Sequence, residues 1–157
     1  MDDSTACGQG TKQFISFRIE DFLLGVDIRQ VREINQFLEI TPVQHAPAYI
    51  RGLVNLRGQI ITVFDVAVKL GLPGRTICPT THNIVFKHED AGFLADEIGD
   101  VMDIEESNIE VPPVNMSNEM ARYVEGVVRL ENELFMILSP AGILEKSGED
   151  TGSGEAV

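Results

Sequence analysis

The sequence predicts a mainly β fold of two small barrels packed side by side, and two observations predict it. The chain repeats itself, because residues 15–21 (ISFRIED) return as residues 84–90 (IVFKHED) and residues 49–56 (YIRGLVNL) return as residues 123–130 (YVEGVVRL). Short β-type runs also alternate with turn residues about every 8–12 positions, a spacing typical of a small barrel or a sandwich. Each repeat is too small to bury much surface alone, so we expect the two to pack together.

The first elements of each copy predict a hairpin. Residues 14–19 and 23–26 are apolar runs rich in β-branched and aromatic side chains, and Glu20-Asp21 between them suits a turn. The second copy has the same arrangement between residues 84 and 95. The repeats as a whole run roughly from residue 14 to 70 and from residue 83 to 144.

The later elements of each copy predict a second hairpin. Residues 53–56 and 60–64 are β-type runs that flank Arg57-Gly58, and their counterparts flank Glu131-Asn132. Gly and Asn are the residues that best tolerate positive φ. Both copies are therefore predicted to make a tight turn here.

The segment after the first hairpin breaks the alternation of a strand. Ile28, Val31 and Ile34 recur at every third position with polar residues between them, which is the pattern of a short amphipathic helix. Residues 66–70, which follow Asp65, fit either one helical turn or a further strand.

Both ends and the middle of the chain have loop-like compositions. Residues 1–12 are small and polar, and residues 147–157 are rich in Gly, Ser and acidic side chains. We therefore expect two mobile tails around a domain that spans residues 13–146. Residues 71–81 contain two Gly and two Pro and predict the loop that joins the copies.

The charge balance disfavours several classes of partner. The net charge is −13, with 12 Lys and Arg against 25 Asp and Glu, which argues against nucleic acid and anionic lipid. No apolar stretch approaches the roughly 18 residues of a membrane span, and the N-terminus lacks the pattern of a signal peptide. Cys7 and Cys78 form no C-x-x-C pattern, which predicts two reduced thiols in a cytoplasmic protein.

The chain lacks the common patterns of catalytic residues. G-x-S-x-G, H-E-x-x-H and G-x-x-x-x-G-K-[ST] do not occur, and His45, His82 and His88 have no Cys or carboxylate at ligand spacing. We therefore expect no enzyme activity, no metal and no cofactor. Residues 88–121 hold many carboxylates and no Lys or Arg, which fits either a solvated face or a surface for a basic partner.

Two opposite charges in the first copy are the leading candidates for a functional site. Glu33 and Arg57 lie in otherwise apolar segments, and Arg57 answers to Glu131 in the second copy, a reversal of charge. An Arg before a turn Gly fits a solvated hairpin tip. It also fits an Arg that Glu33 holds so that the guanidinium faces a partner.

Four ordered blocks resemble the CheW family of bacterial chemotaxis coupling proteins. Residues 49–65 (YIRGLVNLRGQIITVFD) are similar to the family's G-x-x-N-L-R-G-x-x-x-P-V-x-D signature, and residues 25–34 (GVDIRQVREI) are similar to its G-I-x-I-x-x-V-x-E-I segment. Residues 93–96 (FLAD) and 123–127 (YVEGV) resemble two further blocks. The resemblance covers about residues 13–145.

The resemblance implies an all-β fold of two SH3-like five-stranded barrels on a shared apolar core, and a non-catalytic adaptor. Members of the family bridge the cytoplasmic tips of methyl-accepting chemotaxis receptors to the regulatory domain of the histidine kinase CheA. A cytoplasmic location at membrane-associated receptor arrays is implied as well. By position, the resemblance assigns contact with these partners to Glu33, Arg57, Ile28, Val31, Gly92 and Ile98.

Two residues depart from the family pattern. Thr62 stands where the family usually has Pro, and the strand is expected to survive. Ser139 stands where a Leu-Asp pair often ends the second hairpin, which removes one possible cap for the turn that follows. Three alternatives stay open: the same fold in another chemosensory pathway such as pilus motility or gene regulation, a small-molecule-binding barrel or enzyme, and a homologue of the kinase's regulatory domain with a purely structural role.

Overall fold

The structure, a computed structural model, describes residues 10–36, 39–74 and 76–144. Within these ranges the chain forms two five-stranded sheets, each the wall of a small barrel, and the predicted fold class is confirmed. The strands are β1 (Thr11–Ile19), β2 (Phe22–Asp27), β3 (Val31–Asn35), β4 (Ile50–Leu56), β5 (Gln59–Phe64), β6 (His82–Phe86), β7 (Ala91–Ala95), β8 (Glu97–Glu105), β9 (Val124–Arg129) and β10 (Leu134–Leu138). The helices are α1 (Val66–Lys69), α2 (Asn118–Tyr123) and α3 (Pro140–Leu144). Across the described ranges, no helix has the length and hydropathy of a membrane span.

The two sheets exchange hairpins between the copies of the repeat. The first barrel has the strand order β8-β1-β2-β10-β9, and the second barrel has the order β3-β6-β7-β5-β4. Replacing each strand by its counterpart in the other copy converts one order into the other. Each barrel therefore combines the opening hairpin of one copy with the last three strands of the other. The predicted pair of barrels is present, but one copy does not make one barrel, because sequence similarity shows which strands are alike and not which strands pair.

Apolar side chains form one cluster inside each barrel and a third between the barrels. On β1, Phe14 faces the interior of the first barrel, whereas Ile15, Phe17 and Ile19 face the shared core, as the two-residue period of a strand requires. The rings of Phe17 and Phe93, from opposite sheets, lie 5.2 Å apart between centroids. The predicted shared apolar core is thus confirmed. The clusters inside the barrels are Phe14, Ile104, Val128, Phe135 and Ile137 in the first, and Val54, Ile61, Val63, Val85 and Leu94 in the second.

All four predicted hairpins are confirmed. β1–β2, β6–β7 and β4–β5 pair as antiparallel neighbours. In the β4–β5 hairpin, Arg57 and Gly58 have φ of 52° and 85°, close to the roughly 60° and 90° of a type I′ turn. β9 and β10 pair as antiparallel neighbours too, and Leu130 N donates a hydrogen bond to Glu133 O at 2.9 Å, so only Glu131 and Asn132 form the loop. The predicted tight turn is therefore present, but Asn132 has no positive φ and the turn differs in type from that at Arg57-Gly58.

The helix predicted from Ile28, Val31 and Ile34 is wrong. Residues 28–30 form a single 3-10 turn, and β3 begins at Val31. The spacing of three arises because two extra residues interrupt a strand pattern. The 3-10 turn supplies one, and a β-bulge at Arg32, where the β3–β6 register shifts, supplies the other. All three apolar side chains pack against the shared core, so the pattern reports burial and not a helix.

The segments that follow β5 and β10 test two further expectations. β5 is followed by α1, so residues 66–69 are helical and do not continue the strand. The cap expected to be missing before α3 is present, because Ser139 Oγ accepts a hydrogen bond from Gly142 N at 3.2 Å. The Ser139 hydroxyl therefore caps the start of α3, a role in which Ser and Asp are both favoured.

The domain starts slightly earlier than predicted. Thr11 and Lys12, expected in the N-terminal tail, are the first residues of β1 and pair with β8. The earlier part of that tail, with Cys7, and the predicted C-terminal tail at residues 147–157 lie outside the described residues.

Candidate functional site

Arg57 and Glu33 form an ion pair on the wall of the second barrel. Arg57 is the first residue of the β4–β5 turn, Glu33 lies on β3, and Arg57 Nη2 donates a hydrogen bond to Glu33 Oε2. The Arg57 side chain is 74% exposed, whereas that of Glu33 is 20% exposed. The carboxylate is thus anchored in the wall and the guanidinium lies at the surface. The predicted ion pair is present, and its contact with a partner stays a prediction.

The surroundings of Glu33 keep its carboxylate charged. The hydrogen bond from Arg57 lowers the pKa of Glu33 most, and a second hydrogen bond, from Asn35 Nδ2 to Glu33 Oε1 at 3.0 Å, lowers this pKa further. The positive charges of Arg57 and Arg32 act in the same direction. Each carboxylate oxygen therefore has its own donor, an arrangement that fixes the orientation of the group.

The backbone of the turn that carries Arg57 suits Asn, Asp or Gly better than arginine. Asn55 Oδ1 accepts a hydrogen bond from Gly58 N at 2.9 Å, and Gly58 takes the second positive φ of the turn. The first position, with φ of 52° at Arg57, is one where Asn, Asp or Gly is preferred. A left-handed conformation costs a residue with a Cβ about 1–2 kcal/mol. An arginine at such a position indicates a use for the guanidinium other than making the turn.

Arg32, on β3, links the same hairpin to the turn between β6 and β7. Its guanidinium donates to Gln59 Oε1 at 3.3 Å, just after the turn, and to Glu89 O at 3.1 Å and Asp90 Oδ1 at 3.4 Å, between β6 and β7. Sequence reasoning missed Arg32, because its direction depends on the β-bulge in β3.

The apolar candidates Ile28, Val31 and Ile98 lie on a different face from the ion pair. All three are partly buried and pack against the shared core. Val31 is opposite Phe86 on β6, and Ile98 is opposite Phe17 on β1, so the two flank the boundary between the sheets. The bulge at Arg32 turns β3 between Val31 and Glu33, which is why neighbouring residues serve separate faces. The six predicted residues therefore do not form one cluster.

Gly92 is buried and faces the interior of the second barrel. A Cβ at Gly92 would lie 2.5 Å from Asn83 Oδ1 and 2.8 Å from Ile84 O, which no real Cβ tolerates. The space beside Gly92 is thus occupied by the side chain of Asn83, and the contact with a partner that the resemblance assigns to Gly92 stays a prediction.

A cavity of about 620 Å³ opens near the first residues of β2 and β10. Three carboxylates lie around it, those of Asp21, Glu119 and Glu133, and Glu133 is bound by both Nη atoms of Arg18 at 3.1 and 2.9 Å. Sequence reasoning missed this cavity because its walls come from segments far apart in the chain. Its apolar walls include Phe22, Leu70, Leu72, Met116, Met120, Leu134 and Met136.

The acidic stretch covers an edge of the first barrel. β8 is the terminal strand of its sheet, and the carboxylates of Glu97, Asp100, Asp103 and Glu105 on it are exposed. Charges along an edge strand oppose its pairing with other chains. In the described ranges, His, Cys and carboxylate side chains nowhere gather in the groups of three that could hold a metal ion.

Comparisons with known proteins match both the sequence and the fold. A family model described as CheW-like domain matches residues 13–148. The chemotaxis protein CheW of Rhizobium meliloti is 29% identical over 133 residues, which cover 82% of this chain and 84% of that protein. The chemotaxis protein CheW of Bacillus subtilis is 29% identical over 142 residues, covering 89% and 91%.

A solved structure extends the likeness to three dimensions. The scaffolding protein TtCheW from Thermoanaerobacter tengcongensis superposes with a TM-score of 0.80 at 28% sequence identity. The alignment covers 90% of this chain and 98% of that one.

Proposed function

Because this chain belongs to the CheW family of non-catalytic chemotaxis scaffold proteins, we propose that it couples methyl-accepting chemotaxis receptors to the histidine kinase CheA. In this proposal the cytoplasmic tips of the receptors bind the boundary between the barrels together with the ion pair on the second barrel, and the regulatory domain of CheA binds a separate surface. The protein itself is cytoplasmic and is recruited to membrane-associated receptor arrays.

The observation that carries the proposal is the exposed guanidinium of Arg57. It sits at a turn position that disfavours arginine, it is held by Glu33, and it remains 74% exposed. A fixed, exposed guanidinium is suited to recognising a carboxylate or carbonyl group on a partner. We assign Arg57 and Glu33 to receptor recognition, in keeping with their match to the family's charged pair.

The apolar candidates supply a second kind of contact. Ile28, Val31 and Ile98 lie at the boundary between the barrels and are only partly buried. An amphipathic helix of the receptor tip would pack its apolar side on these residues. Receptor signals then reach CheA as a shift between two states of the complex, through differences in contact and without chemistry in the adaptor.

The first prediction tests Arg57 by reversing its charge. Arg57→Glu is expected to reduce receptor-dependent activation of CheA about tenfold or more, because a charge-assisted hydrogen bond worth roughly 1.5–3 kcal/mol is lost and a repulsion is added. Arg57→Asn is expected to reduce activation too, while its melting temperature stays at or above that of the unaltered protein, since Asn suits a type I′ turn. The measurements are kinase activity in reconstituted receptor membranes, circular dichroism and thermal melting.

Arg129 offers a matched control on the other barrel. Its side chain is 77% exposed, and it pairs with Glu110 at 3.2 Å. Arg129→Glu changes the net charge by the same amount as Arg57→Glu and is expected to leave activation intact. Normal activation by Arg57→Glu would contradict the role given to Arg57. Equal losses in both variants would mean that overall charge, and not this site, controls activation.

A further inference from the structure

Asn35 and Asn83 face each other inside the second barrel. They are directly opposite in the β3–β6 register, and Asn83 is also opposite Leu94 on β7. Leu94 belongs to the interior cluster of this barrel, and residues opposite one another on antiparallel strands point to the same side of the sheet. The two amide side chains therefore share the interior face.

Gly92 makes room for one of these amides. Gly92 is opposite Val85, another member of the interior cluster, and its missing side chain leaves the space into which Asn83 Oδ1 projects. Asn83 is fully buried as a result, at 0% exposure.

The amides carry buried atoms that need hydrogen-bond partners. Asn83 Oδ1, Asn83 Nδ2 and Asn35 Oδ1 are all shielded from solvent, and none of them has a partner within the described part of the chain. Native proteins rarely leave buried amide groups unpaired, and internal water commonly satisfies such groups. Opposed residues on antiparallel strands have Cβ atoms about 4.5–5.5 Å apart, so one water reaches both amides.

The remaining atom of the Asn35 amide points at the functional pair. Asn35 Nδ2 donates to Glu33 Oε1 at 3.0 Å, and the other oxygen of Glu33 accepts from Arg57. Rotating the Asn35 amide by half a turn would place its oxygen against the carboxylate, which is repulsive. Whatever fixes Asn35 therefore also fixes the orientation of Glu33.

We propose that Asn35 and Asn83 form an internal site that binds ordered water, and that this site makes Asn35 a positioning residue for Arg57. Gly92 acts through the same chain of contacts, because it admits the Asn83 side chain. This inference rests on the proposed function for its link to receptors. The water site and its effect on the order of the Arg57 side chain do not depend on the proposed function.

The test compares variants at three residues of the contact series that runs from Gly92 through the two amides to Arg57. Asn35→Asp keeps the shape but replaces the donor by a charged oxygen, Asn83→Leu removes the polar site, and Gly92→Ala displaces the Asn83 amide. Each is expected to increase the mobility of the Arg57 guanidinium in NMR relaxation and to lower receptor-dependent kinase activation about tenfold, the effect of losing one charge-assisted bond. Asn108→Asp, an exposed change of the same charge on the other barrel, is the matched control.

Water is detected directly in the unaltered protein. Nuclear Overhauser contacts between long-lived water and the Asn83 amide protons are expected, and they should vanish in Asn83→Leu. Each variant that folds tests the inference independently, so the inference can still be tested if one variant does not fold. A dry site, or unchanged Arg57 mobility in Asn35→Asp, overturns the inference.

If the unaltered protein gives no receptor-dependent activation of CheA while Arg57 mobility responds to Asn35→Asp, the proposed function fails and the positioning site stands. Normal activation by Arg57→Glu would remove only the role of Arg57 in receptor recognition. The two ideas are thus separated by the same set of proteins.

Discussion

Glu33 shows how single side chains set the charge of the candidate site. Its folded-state pKa lies below the usual 4.5, first because Arg57 donates to it and then because Asn35 does. A carboxyl group with a lowered folded pKa contributes stability that is fully present above the unfolded pKa, and this stability is lost as the pH falls through the folded value. The ion pair is therefore intact at neutral pH and breaks only in acid.

This leads to a prediction about titration. Arg57→Ala is expected to raise the pKa of Glu33 towards 4.5, because the largest cause of its lowering is removed. The check is a titration of the side-chain carboxyl carbons by NMR. Asp27, whose pKa is lowered chiefly by Arg29, is an internal reference that should not move. A Glu33 pKa that is the same in both proteins would contradict the assigned geometry.

At the level of elements, short caps and bulges decide where strands and helices begin. β3 follows a 3-10 turn that Asp27 caps, since Asp27 Oδ1 accepts from Arg29 N at 2.9 Å. α3 begins in the same way at Ser139. Neither element is long enough to be stable on local propensity, so its first hydrogen bonds and its packing must hold it.

The cap before α3 can be tested on its own. Ser139→Ala is expected to lower the free energy of unfolding by about 0.5–2 kcal/mol, since Gly142 N loses its acceptor. Ser139→Asp should retain the stability, because a carboxylate accepts the same hydrogen bond and favours the start of a helix. Chemical denaturation measures both. Equal stability of the Ala variant and the unaltered protein would show that the hydroxyl does not act as a cap.

On the scale of the whole molecule, the exchange of hairpins makes the two copies inseparable. Each barrel draws strands from both copies, and the shared core joins residues from both sheets. A further tie links the ends of the copies, because Lys69 Nζ on α1 donates to Ile143 O on α3 at 2.7 Å. The same ammonium lies 4.4 Å from the centre of the Tyr49 ring, a cation–π arrangement.

Cutting the chain in the loop between the copies tests this architecture. Fragments of residues 1–75 and 76–157 each hold strands of both barrels and complete neither. Neither fragment alone is expected to unfold cooperatively, because its strands lack their partners. A mixture of the two should elute as one complex with a cooperative melting transition. A fragment that melts cooperatively as a monomer would contradict the interleaved fold.

Local patterns in the sequence determined much of this protein. The repeat, the alternation of apolar residues and the Arg57-Gly58 turn predicted the two barrels, the four hairpins and the pairing of Arg57 with Glu33. These features depend on neighbouring residues and on a period of two, which the sequence shows directly. The family blocks added the scaffold role in chemotaxis, which no periodicity contains.

Tertiary structure alone decided the rest. The exchange of hairpins, the bulge at Arg32 and the space that Gly92 leaves for Asn83 depend on strands that are distant in the chain. A spacing of three at Ile28, Val31 and Ile34 fits a helix as well as a bulged strand, and only the pairing of β3 with β6 separates the two. The pairing of strands that are remote in sequence depends on packing of the whole core, and a local sequence pattern does not predict it.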